Sequence, residues 1–135
     1  MSSIYQEIRA ALDNRLKTTT DIPDIAFENV PYNATTGTNF VRARMVPTTR
    51  RPSVRGSSPI QRYQGIYSVL VCTAEGTGSG ANLDIVDSIV DRFEATTDIT
   101  FGSETVTIEY VDVGNGYIDT PFYCIPITIG WYIYN

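Results

Sequence analysis

The sequence predicts an α+β domain: an antiparallel sheet of about four to five strands with two helices packed on one face and a long Pro/Arg-rich loop. Three observations predict it. Ile4, Ile8, Leu12 and Leu16 repeat every four residues near the start, and Ile85, Val86, Ile89, Val90 and Phe93 repeat at helical spacing in mid-chain. The segments between and after them alternate with the period of two that half-buried strands show. The chain has 135 residues, 42% hydrophobic and 19% charged, which supports one domain over 1–135 with a real core rather than a disordered tail.

Taken in order, Ser3 to about Lys17 reads as the first helix, with Ser3 and Gln6 spaced as a capping box. Ile25 to Val30 is a short strand closed by Pro31, and 33–39 is a Thr/Gly/Asn turn region. Phe40 to Val46 places Val41, Ala43 and Met45 on one face and Arg42 and Arg44 on the other. Residues 47–61 hold three prolines and no helical or strand period, so the expectation is an extended arm or loop that orders against a neighbour. Gln61 to Thr73 follows as a strand with apolar groups on both faces, which predicts a central position. A glycine run at 76, 78 and 80 enters the second helix, about Ala81 to Glu94. Thr105 to Val111 alternates again, and Phe122 to Tyr134 is a long last strand. Its Pro126 predicts an edge position or a bulge.

Composition narrows the chemistry. With no histidine and two cysteines 52 positions apart, Ser-His-Asp and Cys-His catalysis and the common zinc sites are excluded. Cys72 and Cys124 lie in apolar strands and are expected as buried free thiols. The glycine run lacks the Lys and Ser/Thr of a phosphate loop, and no Gly-turned loop gathers the acids of the second helix around a cation. No catalytic residue, metal or cofactor is expected. The longest apolar run, Pro121 to Tyr134, is too short for a spanning helix, so no membrane is expected. No secretory signal follows Met1, and the sequon at Asn33 is read as chance.

The net charge of −5 hides a segregation. Residues 29–74 carry six arginines and no acid, whereas residues 75–135 carry ten acids and one base. The candidate interface residues are Arg42, Arg44, Arg50, Arg51, Arg55 and Arg62 on one side and Asp84, Asp87, Asp91 and Glu94 on the other. Such a chain is self-complementary or has two different partners. Nucleic acid is the weaker reading of the arginines, because no aromatics interleave them in the loop. The four acids form one helix stripe, read as a solvated face or a protein interface. Asp87 and Asp91 repel at i,i+4, a cost that a cationic partner removes.

The order of these elements resembles a known family. The N-terminal helix, Ile25-Ala26-Phe27-Glu28-Asn29, Phe40-Val41-Arg42, the Pro/Arg loop, Gly65-Ile66-Tyr67-Ser68-Val69, the helix ending in Phe93, and Ile125-Pro126-Ile127-Thr128-Ile129 are similar to the tail terminator (tail completion) proteins of long-tailed bacteriophages. The resemblance implies a structural protein of the virion, assembled in the host cytoplasm and located at the head-proximal end of the tail. It implies a homo-oligomeric ring, a hexamer, that caps the tail tube protein and meets the head-completion protein while DNA passes through without specific binding. It carries no catalytic residues. The alternatives are a tail tube or other neck ring subunit, and a non-viral binding module that uses its arginine loop.

Overall fold

The computed structural model of the chain describes residues 4–20, 22–35, 37–52, 60–76, 78–102 and 104–134. It has two helices, α1 (Ile4–Lys17) and α2 (Gly80–Arg92). The seven strands are β1 (Asp24–Phe27), β2 (Phe40–Pro52), β3 (Gln61–Ala74), β4 (Asp98–Phe101), β5 (Glu104–Val113), β6 (Tyr117–Asp119) and β7 (Phe122–Tyr134). The expected Ser3 cap lies outside the described residues.

All seven strands form one sheet in the order β1-β2-β3-β7-β5-β4, with β6 added to β7 beyond the end of β5. The α+β class and the two helices stand, but the sheet is larger than the four to five strands expected, and it is mixed. β1 runs parallel to β2, with Ile25 beside Val41. Parallel neighbours need a crossover of a dozen or so residues, and residues 28–39 supply it without any helix.

Two further expectations change. Residues 47–52 are not loop: they continue β2 through a bulge between Pro47 and Thr49, so that Pro52 pairs with Gln61. Beyond Ala43 the outer side of β2 has no partner strand among the described residues. An edge tolerates prolines, because it lacks a ladder for their missing N–H to break. Residues 53–59 lie outside the described residues. Pro126 sits neither on an edge strand nor in a bulge, since β7 is flanked by β3 on one side and by β5 and β6 on the other. Its carbonyl accepts from the Gly114 N–H at 2.8 Å. The missing N–H therefore points into the gap between the end of β5 and β6, where no ladder bond is lost.

Both helices cover one face. Ile8, Leu12 and Leu16 of α1 and Val86 and Ile89 of α2 share a buried core with Phe93, Tyr67, Val69, Ile127, Ile129 and Trp131, as the helical stripe predicts. Three polar contacts pin the helices, and none was read from the sequence. The Tyr67 hydroxyl donates to Asp13 of α1 at 2.5 Å. The buried Asn82 amide donates to the carbonyls of Val71 and Tyr123, both at 3.0 Å, which ties α2 to β3 and β7. Arg15 Nε donates to the Arg92 carbonyl at 2.8 Å, and Arg92 Nη2 donates to Thr18 Oγ1 at 2.7 Å and to the Arg15 carbonyl at 3.4 Å. Each arginine thus bonds a carbonyl in the last turn of the other's helix, that of Arg15 also accepting from the Thr18 and Thr19 hydroxyls.

Candidate subunit interface

The period of two on β2 sends Val41 and Ala43 into the core beneath the helices, so Arg42 and Arg44 project from the opposite, uncovered face. The same open face carries Arg62 on β3 and Tyr132 and Tyr134 on β7, because Tyr63 and Ile133 beside them are core residues. The bulge after Pro47 shifts the alternation by one residue. Arg50 consequently pairs with Tyr63 on the helix-side face, and its guanidinium lies 5.0 Å from that ring, which also meets Tyr5 of α1 edge-on. Arg51 pairs with Arg62 and returns to the open face. The loop arginines expected to act together are therefore split between faces, and Arg55 lies outside the described residues.

Their commitments differ as well. Arg62 is spoken for within the chain: Nη2 is 2.8 Å from Glu109, Nη1 donates to Gln64, and the guanidinium lies 4.8 Å from the Tyr132 ring and 6.0 Å from that of Tyr134. Glu109 reaches it because the β5 bulge between Ile108 and Tyr110 sets that residue outside the regular ladder. Arg42 stacks 5.2 Å from the Phe40 ring. Arg42, Arg44 and Arg51 are exposed and make no ion pair among the described residues. Arg51 opposite Arg62 is a like-charge cross-strand pair, which is unfavourable until an acid approaches.

The acids occupy the other side of the molecule. Asp84, Asp87 and Asp91 are exposed on α2, with Glu94 just past its end, and none is ion-paired among the described residues. Since α2 packs on the covered face, the sheet itself separates these acids from Arg42, Arg44 and Arg51. One chain cannot close the two sets on each other. Among the described residues no cluster of His, Cys, Asp or Glu could hold a metal ion, and no helix is long and apolar enough to cross a membrane. Among the described residues, this candidate set brings no nucleophile and base together. Its chemistry is that of charged surfaces.

A family model described as phage tail terminator protein matches residues 7–131, nearly the whole chain. The chain belongs to the phage tail terminator protein family. It is accordingly a structural protein of the virion tail, from a family whose members work with other tail or head–tail joining proteins. The matched span of this terminator-family chain takes in α1 but for its first three residues, α2, all seven strands but the last three residues of β7, and both charged sets. Eleven solved chains match it. One of them, whose name states no function, is 20% identical with a TM-score of 0.78, covering 98% of this chain and 96% of its own, a likeness of fold. No curated protein matches.

Proposed function

We propose that copies of this chain close into a hexameric ring that caps the tail tube, halts its growth, and presents a surface to the head-completion protein at the head-proximal end of the tail. One observation carries the reading: Arg42, Arg44 and Arg51 sit on one face of the sheet, and Asp84, Asp87 and Asp91 sit on α2 over the other. A ring needs a head-to-tail interface in which one patch meets a different patch of the next copy. Arg42, Arg44, Arg51 and Arg55 of one subunit meet Asp84, Asp87, Asp91 or Glu94 of its neighbour. Arg62 stays with its own Glu109, and Arg50 with its own Tyr63. Exposed pairs contribute only about 0–1 kcal/mol each, so they set register and direction while apolar contact holds the ring. Val113, Tyr117 and Ile118, exposed at the β5–β6 end, offer apolar area for a neighbour or for the tube. DNA passes through the bore without specific contact, as an acidic chain favours.

The test is a charge-reversal cycle read by native mass and negative-stain imaging. Arg42→Glu with Arg44→Glu blocks ring formation and leaves a folded monomer. Asp87→Arg with Asp91→Arg also blocks it, and combining the two sets restores it in part. Assembly weakens from low to high salt, because screening shortens to about 8 Å at physiological ionic strength. If the combined variant assembles no better than either parent, the two patches do not touch, and the acids line the bore instead. Filaments formed by the chain alone would make it a tube subunit, and a monomer at every concentration a binding module.

A further inference from the structure

Cys72 of β3 and Cys124 of β7 stand directly opposite each other, with 2.9 Å between their sulfurs. Both are free and buried, on the open-face side, among Ala26, Phe40 and Phe122, with Tyr32 and Leu70 packed alongside. The backbone favours a bond between them. The Pro126 carbonyl turns away from β3 toward Gly114, so Pro126 and Leu70 form a non-hydrogen-bonded pair. Two residues along, Cys124 and Cys72 occupy the same kind of position. In such pairs the Cα atoms approach to about 4.5 Å, at the near end of the range that a disulfide spans. The sulfurs need to close by only about 0.9 Å to reach bonding distance.

We propose that Cys72 and Cys124 form a dithiol–disulfide site, which a two-electron oxidant converts into a covalent link between the two central strands. With a diazene oxidant such as diamide, one thiolate adds to the N=N bond. The second attacks the sulfur of that adduct, forms the S–S bond and expels the hydrazine. Two S–H bonds are lost, and two electrons and two protons reduce the N=N bond to HN–NH. Burial raises both thiols above their ordinary range, and the reaction accordingly proceeds through local opening and quickens with rising pH. Any mixed disulfide is resolved at once by the adjacent sulfur.

The experiment treats the folded full chain with diamide at mildly alkaline pH, then denatures it, alkylates remaining thiols and digests with trypsin. Cleavage after Arg62 and Arg92 places the cysteines on separate peptides, 63–92 and 93–135. The expected product joins these two peptides, weighs less by two hydrogens, contains no covalent dimer, melts at higher temperature and reverts with dithiothreitol. Cys124→Ser abolishes the linked product, while the double variant Cys72→Ser with Cys124→Ser shows whether the sheet tolerates both replacements. Alkylation of both thiols after diamide overturns the proposal. So does a linked product that forms only in denaturant, or as a dimer.

Discussion

On the covered side of β3, Tyr67, Val69 and Val71 are wholly buried, while on the other side Ile66, Ser68 and Leu70 are only half-buried beside the exposed Arg42 and Arg44 of β2. The same backbone bonds serve both faces, so the difference lies in what each row of side chains is committed to. The covered row is committed within the chain, through apolar packing and the Tyr67–Asp13 bond. The open row carries its most available charge on residues that no internal acid claims. Substitutions on the covered row are therefore expected to change folding, and those on the open row to change the association proposed above.

The largest effect expected on this contrast comes from Phe93→Ala, which opens a cavity between α2 and Tyr67 and destabilises the monomer by roughly 3–5 kcal/mol in denaturant titration. One glycine-to-alanine change on each face sharpens it. A Cβ on Gly65 meets the Trp131 ring and the Val46 carbonyl at 2.6 Å and Pro47 Cα at 2.9 Å, and fixed backbone cannot yield. Gly65→Ala costs about 1–3 kcal/mol. The atoms nearest a Cβ on Gly130 belong to the Tyr110 ring, and Tyr110 is exposed and swings aside, so Gly130→Ala costs about 1 kcal/mol or less by the same titration.

On the covered face a pH effect on folding comes from Asp13. Burial raises the Asp13 carboxyl, and so does Glu28, against the lowering pull of the Tyr67 hydroxyl and Arg9. A carboxyl raised in the folded state favours folding most below its unfolded value, and that contribution is lost as pH climbs through the raised value. Stability is expected to decline from the ordinary carboxylate range upward, and the decline disappears in Asp13→Asn. Smallest of all for the monomer is Arg42→Glu with Arg44→Glu, about 0.5 kcal/mol or less in either direction, even as assembly fails. A large loss of monomer stability in that variant would erase the distinction between the faces.

The helices, the covered core and the segregation of charge were legible because each repeats along the chain. What escaped has no period. β4 and β6 are four and three residues long, too short to alternate visibly. The parallel pairing of β1 rests on a crossover without a helix, and residues 47–52 look like loop because an edge accepts Pro47 and Pro52. Asn82 reads as an ordinary helix-entry residue until β3 and β7 arrive from distant parts of the sequence. Of the candidate interface residues the arginines could be named, but their directions could not, since a bulge leaves no mark in composition.

That bulge turns the arm into a counting device. Between Pro47 and Thr49 one residue is spent without advancing the pairing, and everything distal to it inherits the inverted parity. Deleting Thr48 would remove the bulge while Arg50 stays opposite Tyr63 and Arg51 opposite Arg62, so both arginines would keep their faces and only the bend and twist of the arm would change. The extra residue thus acts as a fixed bend in the arm, one that sets the angle at which Arg51 leaves the open face without altering which residues it stands among.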